Sequence, residues 1–133
     1  MLRLSKKVEY ALMGLRYIAI SGENIVTAKE ISTKFNIPHE LLAKILQKLK
    51  KEQILESVKG VHGGYQLKRS PDDIKLTELI KSLDGDFTIA ECLHGQGEDD
   101  CSMFKDCTIK SPVNKMQKEL ETFFETKTIS DFV

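Results

Sequence analysis

The sequence predicts a mainly α-helical fold that carries one small β-hairpin and ends in a long helix. Three observations support this fold class. Apolar residues recur at helical spacing in several segments, a glycine-rich stretch separates two strand-like segments, and a last helical pattern follows a cysteine-rich stretch. With 133 residues, 41% of them hydrophobic, the chain is long enough for one globular domain with an appended element. From this length we do not expect a large multidomain enzyme.

Charge is distributed unevenly along the chain. Residues 1–69 contain 13 Lys and Arg against 6 Asp and Glu, whereas residues 70–133 contain 7 against 14. A basic half suggests a polyanion partner, although both halves could be ordinary solvated surface. No run of about 18 apolar residues occurs, so we expect no membrane span and no secretory signal. We therefore expect a cytoplasmic protein without membrane contact, whose thiols stay reduced.

The first two helices are indicated by apolar periodicity and by caps. Residues 4–21 are apolar around much of the helix circumference, which predicts burial on more than one side. The second helix opens at Thr27, whose hydroxyl forms a capping box with Glu30. Asn36 and Ile37 then make a turn.

The third helix opens at Pro38, where the missing N–H costs nothing. Its spacing divides the helix into two faces. The core-facing residues are Leu41, Leu42, Ile45 and Leu49, and the outward residues are His39, Glu40, Ala43, Lys44, Gln47, Lys48 and Lys51. Two short helices joined by a tight turn, the second with lysines on its free face, are typical of a helix-turn-helix DNA reader.

A hairpin follows this helix directly, because "ILESVK", "GVHGG" and "YQLKR" read as strand, glycine-rich loop and strand. That order predicts a winged helix, although an ordinary β-turn is the alternative. The loop carries Lys59 and His62, and its glycines allow the backbone to approach a phosphate chain. Lys68 and Arg69 add charge at its base.

Two further helices complete the prediction. "KLTELIKSLDG" forms a short helix that ends at Gly85, and "SPVNKMQKELETFFE" forms the last helix with Ser111 as its N-cap. An apolar stripe runs along this last helix at coiled-coil spacing: Val113, Met116, Leu120 and Phe123, widened by Phe124. Such a stripe could pack on its own core, but we expect it to contact a second copy of the chain.

The segment between these helices contains all three cysteines, Cys92, Cys101 and Cys107, with the spacing C-x8-C-x5-C. Three thiols are one too many for a disulfide and one too few for a four-thiolate metal site. In a reducing compartment, such a cluster favours metal binding or redox chemistry over structural bridging.

These pieces together resemble a known family over essentially the whole chain. The matching segments are "LSKKVEYAL", "TAKEIS", "LLAKILQKLKKEQIL", "VKGVHGGYQL", "LTELIKSLDG", the three cysteines and "TISDF". The chain thus resembles the Rrf2 family of bacterial winged-helix transcription regulators, the group that includes IscR and NsrR. Its wing is similar to the family's R-G-x-x-G-G-Y, with Lys59 at the arginine position. Lysine keeps the positive charge of arginine but lacks the planar, forked guanidinium group, which suits a narrow minor groove.

The resemblance implies a homodimer that binds a two-fold site on double-stranded DNA. It also implies an iron-sulfur cluster, 2Fe-2S or 4Fe-4S, on Cys92, Cys101 and Cys107, whose gain, loss or modification reports iron, nitric oxide or redox status. Some family members have no cluster, and the first cysteine gap here is eight residues, where five is typical. The implied organisation is a DNA-binding domain at 1–85, a cluster-binding loop at 86–110, and a dimerisation helix with its tail at 111–133.

The fourth ligand is open to several interpretations. IscR-like members use a histidine three residues after the last cysteine, a position held here by Lys110, which cannot ligate. NsrR-like members use an acid of the first helix, which corresponds to Glu9, and we expect Glu9 from the other subunit to ligate. Glu9 could instead pair with a lysine such as Lys6. His94 is a further candidate ligand.

The winged-helix interpretation also assigns residues to DNA. We expect base or nearby phosphate contacts from Lys44 and Gln47, with His39 and Glu40 as further candidates, and backbone or minor-groove contacts from Lys48, Lys51, Lys59 and His62. Each could be no more than a solvated side chain.

Other functions compete with this one. A regulator of the same fold could use its cysteines for zinc, with His94 as fourth ligand, or for thiol oxidation. The basic face could also meet an acidic protein. An enzyme is not expected, since no phosphate-binding glycine motif or nucleophile elbow is present.

Overall fold

The computed structural model of the protein describes residues 3–90 and 105–133. Its helices are α1 (Lys6–Ile20), α2 (Ala28–Phe35), α3 (His39–Lys51), α4 (Leu76–Asp84) and α5 (Lys110–Glu125). Strands β1 (Leu55–Val58) and β2 (Gly64–Leu67) lie between α3 and α4, and short 3-10 helices occupy Pro71–Asp73 and Ile129–Phe132. This mainly helical architecture with one antiparallel hairpin confirms the predicted fold class. No helix within residues 3–90 and 105–133 is long and apolar enough to cross a membrane.

Local caps define the starts of the first two helices, and the sequence predicted the one at α2. The Ser5 hydroxyl accepts a hydrogen bond from the Val8 N–H at 3.2 Å, which starts α1. The capping box of Thr27 and Glu30 starts α2. Asn36 ends α2 in the left-handed conformation, with φ of 53°, and so makes the tight turn into α3. Asparagine tolerates this conformation better than most residues.

The hairpin is the wing of the predicted winged helix. β1 and β2 pair antiparallel from Leu55 opposite Leu67 to Val58 opposite Gly64. A backbone bridge from Val26 to Tyr65 holds β2 on its other side, with N···O distances of 3.0 and 2.7 Å. The wing is therefore attached to the segment between α1 and α2 as well as to α3.

One hydrophobic core joins the helices, the base of the wing and the C-terminal tail. It includes Leu15 of α1, Leu42 and Leu46 of α3, and Leu79 of α4, all fully buried. Leu46 was not among the predicted core-facing residues of α3, whereas the predicted Leu41 lies at the core's edge. Ile129 of the C-terminal tail is fully buried in this core, and its N–H donates to the Ile74 carbonyl at 3.0 Å.

α5 lies partly on this core and partly free of it. It begins at Lys110 after Ile109, which provides no side-chain cap, so the prediction of Ser111 as N-cap was wrong. Phe124 faces the core and meets the Phe87 ring edge to face, at 5.2 Å between centroids. Ile109, Met116 and Phe123, spaced by seven residues, are 61%, 52% and 55% exposed. The apolar stripe predicted from the sequence therefore divides between a core-facing and a solvent-facing side.

Candidate nucleic-acid interface and metal-binding residues

The outward face of α3 forms a continuous polar stripe. Glu40, Lys44, Gln47 and Lys51 follow one another at steps of four, three and four residues, and all four are exposed. They lie opposite the side that carries Leu42, Ile45, Leu46 and Leu49, because 3.6 residues make one helical turn. Four of the residues predicted to contact DNA thus share one surface that a major groove can accommodate.

The other two α3 candidates flank this stripe on opposite sides. His39 is exposed, and its Nδ1 lies 3.5 Å from the Ser32 hydroxyl, next to α2. Lys48 lies on the other flank, with its Nζ 3.6 Å from a carboxylate oxygen of Glu52. Because such surface ion pairs contribute little free energy, this pair leaves Lys48 available to a phosphate.

The wing tip presents its two predicted contacts to solvent. Lys59 and His62 are exposed on either side of Val61, which is almost fully exposed. The turn depends on Gly63, where an added Cβ would lie 2.2 Å from the Val58 carbonyl oxygen. A tight glycine turn thus places a lysine and a histidine at the end of the hairpin.

The two charged residues at the base of the wing, Lys68 and Arg69, form hydrogen bonds within the protein. Arg69 hydrogen-bonds to Glu78 of α4 through both terminal nitrogens, and these contacts raise the pKa of its guanidinium. The Lys68 ammonium hydrogen-bonds to the side chain of Gln53. Arg69 therefore connects structural elements, a role that its position in the sequence did not reveal.

The predicted metal ligands are only partly within the described residues. Cys92 and Cys101, together with the alternative ligand His94, lie outside them. Cys107 lies within them, half-buried and with a free thiol. Across residues 3–90 and 105–133, no group of three or more His, Cys, Asp or Glu side chains is arranged to hold a metal ion.

Glu9 lies in the first turn of α1 and is half-exposed. Its carboxylate pairs with the Lys6 ammonium at 3.0 Å, and this hydrogen bond raises the pKa of Lys6. The surface pairing considered from the sequence is therefore present in the single chain. An exposed pair of this kind is weak, so it does not prevent Glu9 from exchanging Lys6 for another partner.

Gln117 is a polar residue that the sequence interpretation missed. Among the described residues of α5 it alone is buried, and its amide hydrogen-bonds to the backbone of residues 87 and 89. The sequence did contain a signal for the burial of Gln117. It stands four residues after Val113 and seven before Phe124, which places it on the core-facing side of the helix.

Comparisons with known proteins agree with this architecture. The Rrf2 family, described as iron-dependent transcriptional regulators, matches residues 4–133. Among curated proteins, the protein aau3 of Rhizobium meliloti is 34% identical over 99% of this chain and 85% of its own length. The transcriptional regulator NsrR of Oceanobacillus iheyensis is 29% identical over 99% of this chain and 90% of its own length.

Solved structures show the same fold. The T. potens IscR structure superposes with a TM-score of 0.74 at 27% identity, covering 98% of this chain and 85% of that one. The global cysteine regulator CymR of B. subtilis superposes with a TM-score of 0.77 at 24% identity, covering 98% and 95%. Because the family match spans nearly the whole sequence and the fold is a winged helix, the chain belongs to the Rrf2 family of DNA-binding transcriptional regulators, which are not enzymes.

Proposed function

We propose that this chain acts as a homodimer on a two-fold DNA site, under the control of an iron-sulfur cluster held by Cys92, Cys101 and Cys107. The observation that carries the proposal is the position of the three cysteines, between a winged helix and a helix with an exposed apolar side. The relatives named NsrR and IscR support it.

The donor chemistry fits such a cluster. Thiolates are the usual protein ligands of iron-sulfur clusters, and the Cys107 thiol is free. Three thiolates leave one position, for which we propose Glu9 of the partner subunit. Among the described residues, its carboxylate pairs with the exposed Lys6, so an oxygen donor is available on the first turn of α1. A bound cluster would supply a centre that reacts to iron, redox or nitric oxide status.

Each part of the chain then has a distinct task. Residues 1–85 bind DNA, residues 86–110 hold the cluster, and residues 111–133 contain the dimerisation helix. The exposed side of α5, with Ile109, Met116 and Phe123, packs against a second copy. Dimerisation sets the separation of the two α3 helices, which must match half-sites about 34 Å apart on one face of B-DNA.

DNA binding is assigned to the exposed residues of α3 and the wing. Lys44, Gln47, His39 and Glu40 meet base edges or nearby phosphates, and Lys48, Lys51, Lys59 and His62 meet the backbone or minor groove. Lysines supply the charge that displaces counterions, while Gln47 can read a base edge through its amide. All of these residues are exposed except Lys48, which is half-exposed, and this exposure supports the assignment.

The test is purification without air, followed by visible absorption and Mössbauer spectroscopy. A brown protein with charge-transfer absorption, lost in Cys107→Ser, supports the cluster and gives its nuclearity. Colourless protein that contains zinc overturns it in favour of the zinc-binding regulator. For the fourth ligand, Glu9→Ala is compared with Glu23→Ala, an exposed acid of the loop after α1. An equally stable chromophore in Glu9→Ala would exclude Glu9 as a ligand.

A further inference from the structure

Gln117 occupies an unusual position in α5. Among the described residues of this helix it alone is buried, with 4% of its surface exposed. Burial of an amide side chain is unfavourable unless its polar groups find hydrogen-bond partners. The partners of Gln117 therefore explain why a glutamine lies here on the core-facing side of the helix.

The amide of Gln117 is satisfied by the chain that precedes the cysteines. Its Oε1 accepts from the Ile89 N–H at 2.9 Å, and its Nε2 donates to the Phe87 carbonyl at 2.5 Å. Nε2 also donates to the Glu121 carboxylate at 2.8 Å. This orientation is required by chemistry, because a backbone N–H can only donate, whereas a carbonyl and a carboxylate accept.

A second contact fixes the same segment on α5. The Phe87 ring meets Phe124 edge to face, with centroids 5.2 Å apart. Gln117 and Phe124 are seven residues apart, which is about 10 Å along a helix. Residues 87 to 89 are therefore attached to α5 at two separate points, and Cys92 follows Ile89 by three residues in the sequence.

We propose that Gln117 is a positioning residue that fixes the entrance to the cysteine-containing segment on α5. A change at the cysteine site then acts on α5, because two hydrogen bonds and an aromatic contact hold the preceding residues to this helix. Met116 and Phe123, on the exposed side of the same helix, move with it. This inference rests on the proposed cluster-binding function and adds the element through which the cluster's state reaches the dimer surface.

The experiment compares Gln117→Leu with Gln117→Glu. Leucine keeps the approximate size but removes every hydrogen bond, whereas glutamate still accepts from the Ile89 N–H and is repelled by Glu121. In metal-free protein, hydrogen exchange of the Ile89 amide should be about tenfold faster in Gln117→Leu, the factor expected when one hydrogen bond is removed. Cluster loss to a chelator should be faster in both variants than in wild type.

Ile54→Val serves as the control, because it loosens the buried core at the base of the wing, away from α5. It should lower the denaturation midpoint without changing either rate. Unchanged Ile89 exchange, or unchanged cluster loss, in Gln117→Leu would overturn the inference. A wild-type protein that takes up no cluster would overturn the proposed function and the coupling with it, while Ile89 exchange would still show whether Gln117 anchors the segment.

Discussion

Arg69 and Glu78 form a bidentate ion pair that joins the end of the wing to α4. The Nη2 and Nη1 atoms of Arg69 lie 2.5 and 3.2 Å from the two carboxylate oxygens of Glu78. The Arg69 Nε donates to the Gln53 carbonyl, in the turn between α3 and β1, at 3.2 Å. One side chain therefore connects the wing, the α3–β1 turn and α4, and it orients the wing relative to α3.

Arg69→Gln and Glu78→Gln should weaken DNA binding to a similar degree, because each removes the pair that orients the wing. We expect a decrease of about 1 kcal/mol in the free energy of unfolding, typical of a partly exposed pair with good geometry. Binding titrations across salt concentrations check the mechanism. If Arg69 acts only through Glu78, the slope of the logarithm of the DNA-binding constant against the logarithm of salt concentration stays unchanged. A shallower slope in Arg69→Gln would instead indicate a phosphate contact.

Lys59→Ala should lower DNA affinity and flatten its salt dependence, because Lys59 is exposed at the wing tip. The slope should fall by about 0.9 for each phosphate that the variant no longer neutralises. Lys118→Ala removes an equal charge from the exposed surface of α5, so it is the matched control and should leave the slope intact. An identical slope in wild type and Lys59→Ala would remove Lys59 from the interface.

Gly63→Ala and Gly14→Ala should have opposite effects on stability. At Gly63 the new Cβ would lie 2.2 Å from the Val58 carbonyl oxygen, so the wing turn must distort and DNA binding should weaken. At Gly14, inside α1, the nearest atoms are 3.9 Å away, and alanine is the better helix former by about 1 kcal/mol. Thermal denaturation measures the change in stability of both variants, and binding titrations measure their DNA affinity. Normal DNA binding by Gly63→Ala would show that the wing tip is not needed.

Met116→Glu and Phe123→Glu should convert a dimer to monomers, since each places a charge on the exposed apolar side of α5. Sedimentation velocity reports the oligomeric state directly. Lys118→Glu adds a charge on the opposite side of the helix and should remain dimeric. Wild-type protein that sediments as a monomer would refute the dimer, and dimeric Phe123→Glu would place the interface elsewhere.

The winged helix could be predicted closely because its signals are local. The capping box at Thr27, the turn at Asn36 and the glycines of the wing each act within a few residues, and the structure has all three. The exposed stripe of α3 follows from helical periodicity alone. The cap of α5 was predicted wrongly at Ser111, because a serine before a proline resembles a helix start wherever it occurs.

The sequence by itself determined the winged-helix fold, the polar face of α3, and the place of the cysteines between two helical units. Only the tertiary structure decided which polar side chains form hydrogen bonds with other parts of the protein. Gln117 meets backbone groups 28 and 30 residues away, and Arg69 meets Glu78 nine residues away. Such partners carry no local signature, because they become neighbours only when packing of the apolar faces brings distant segments together.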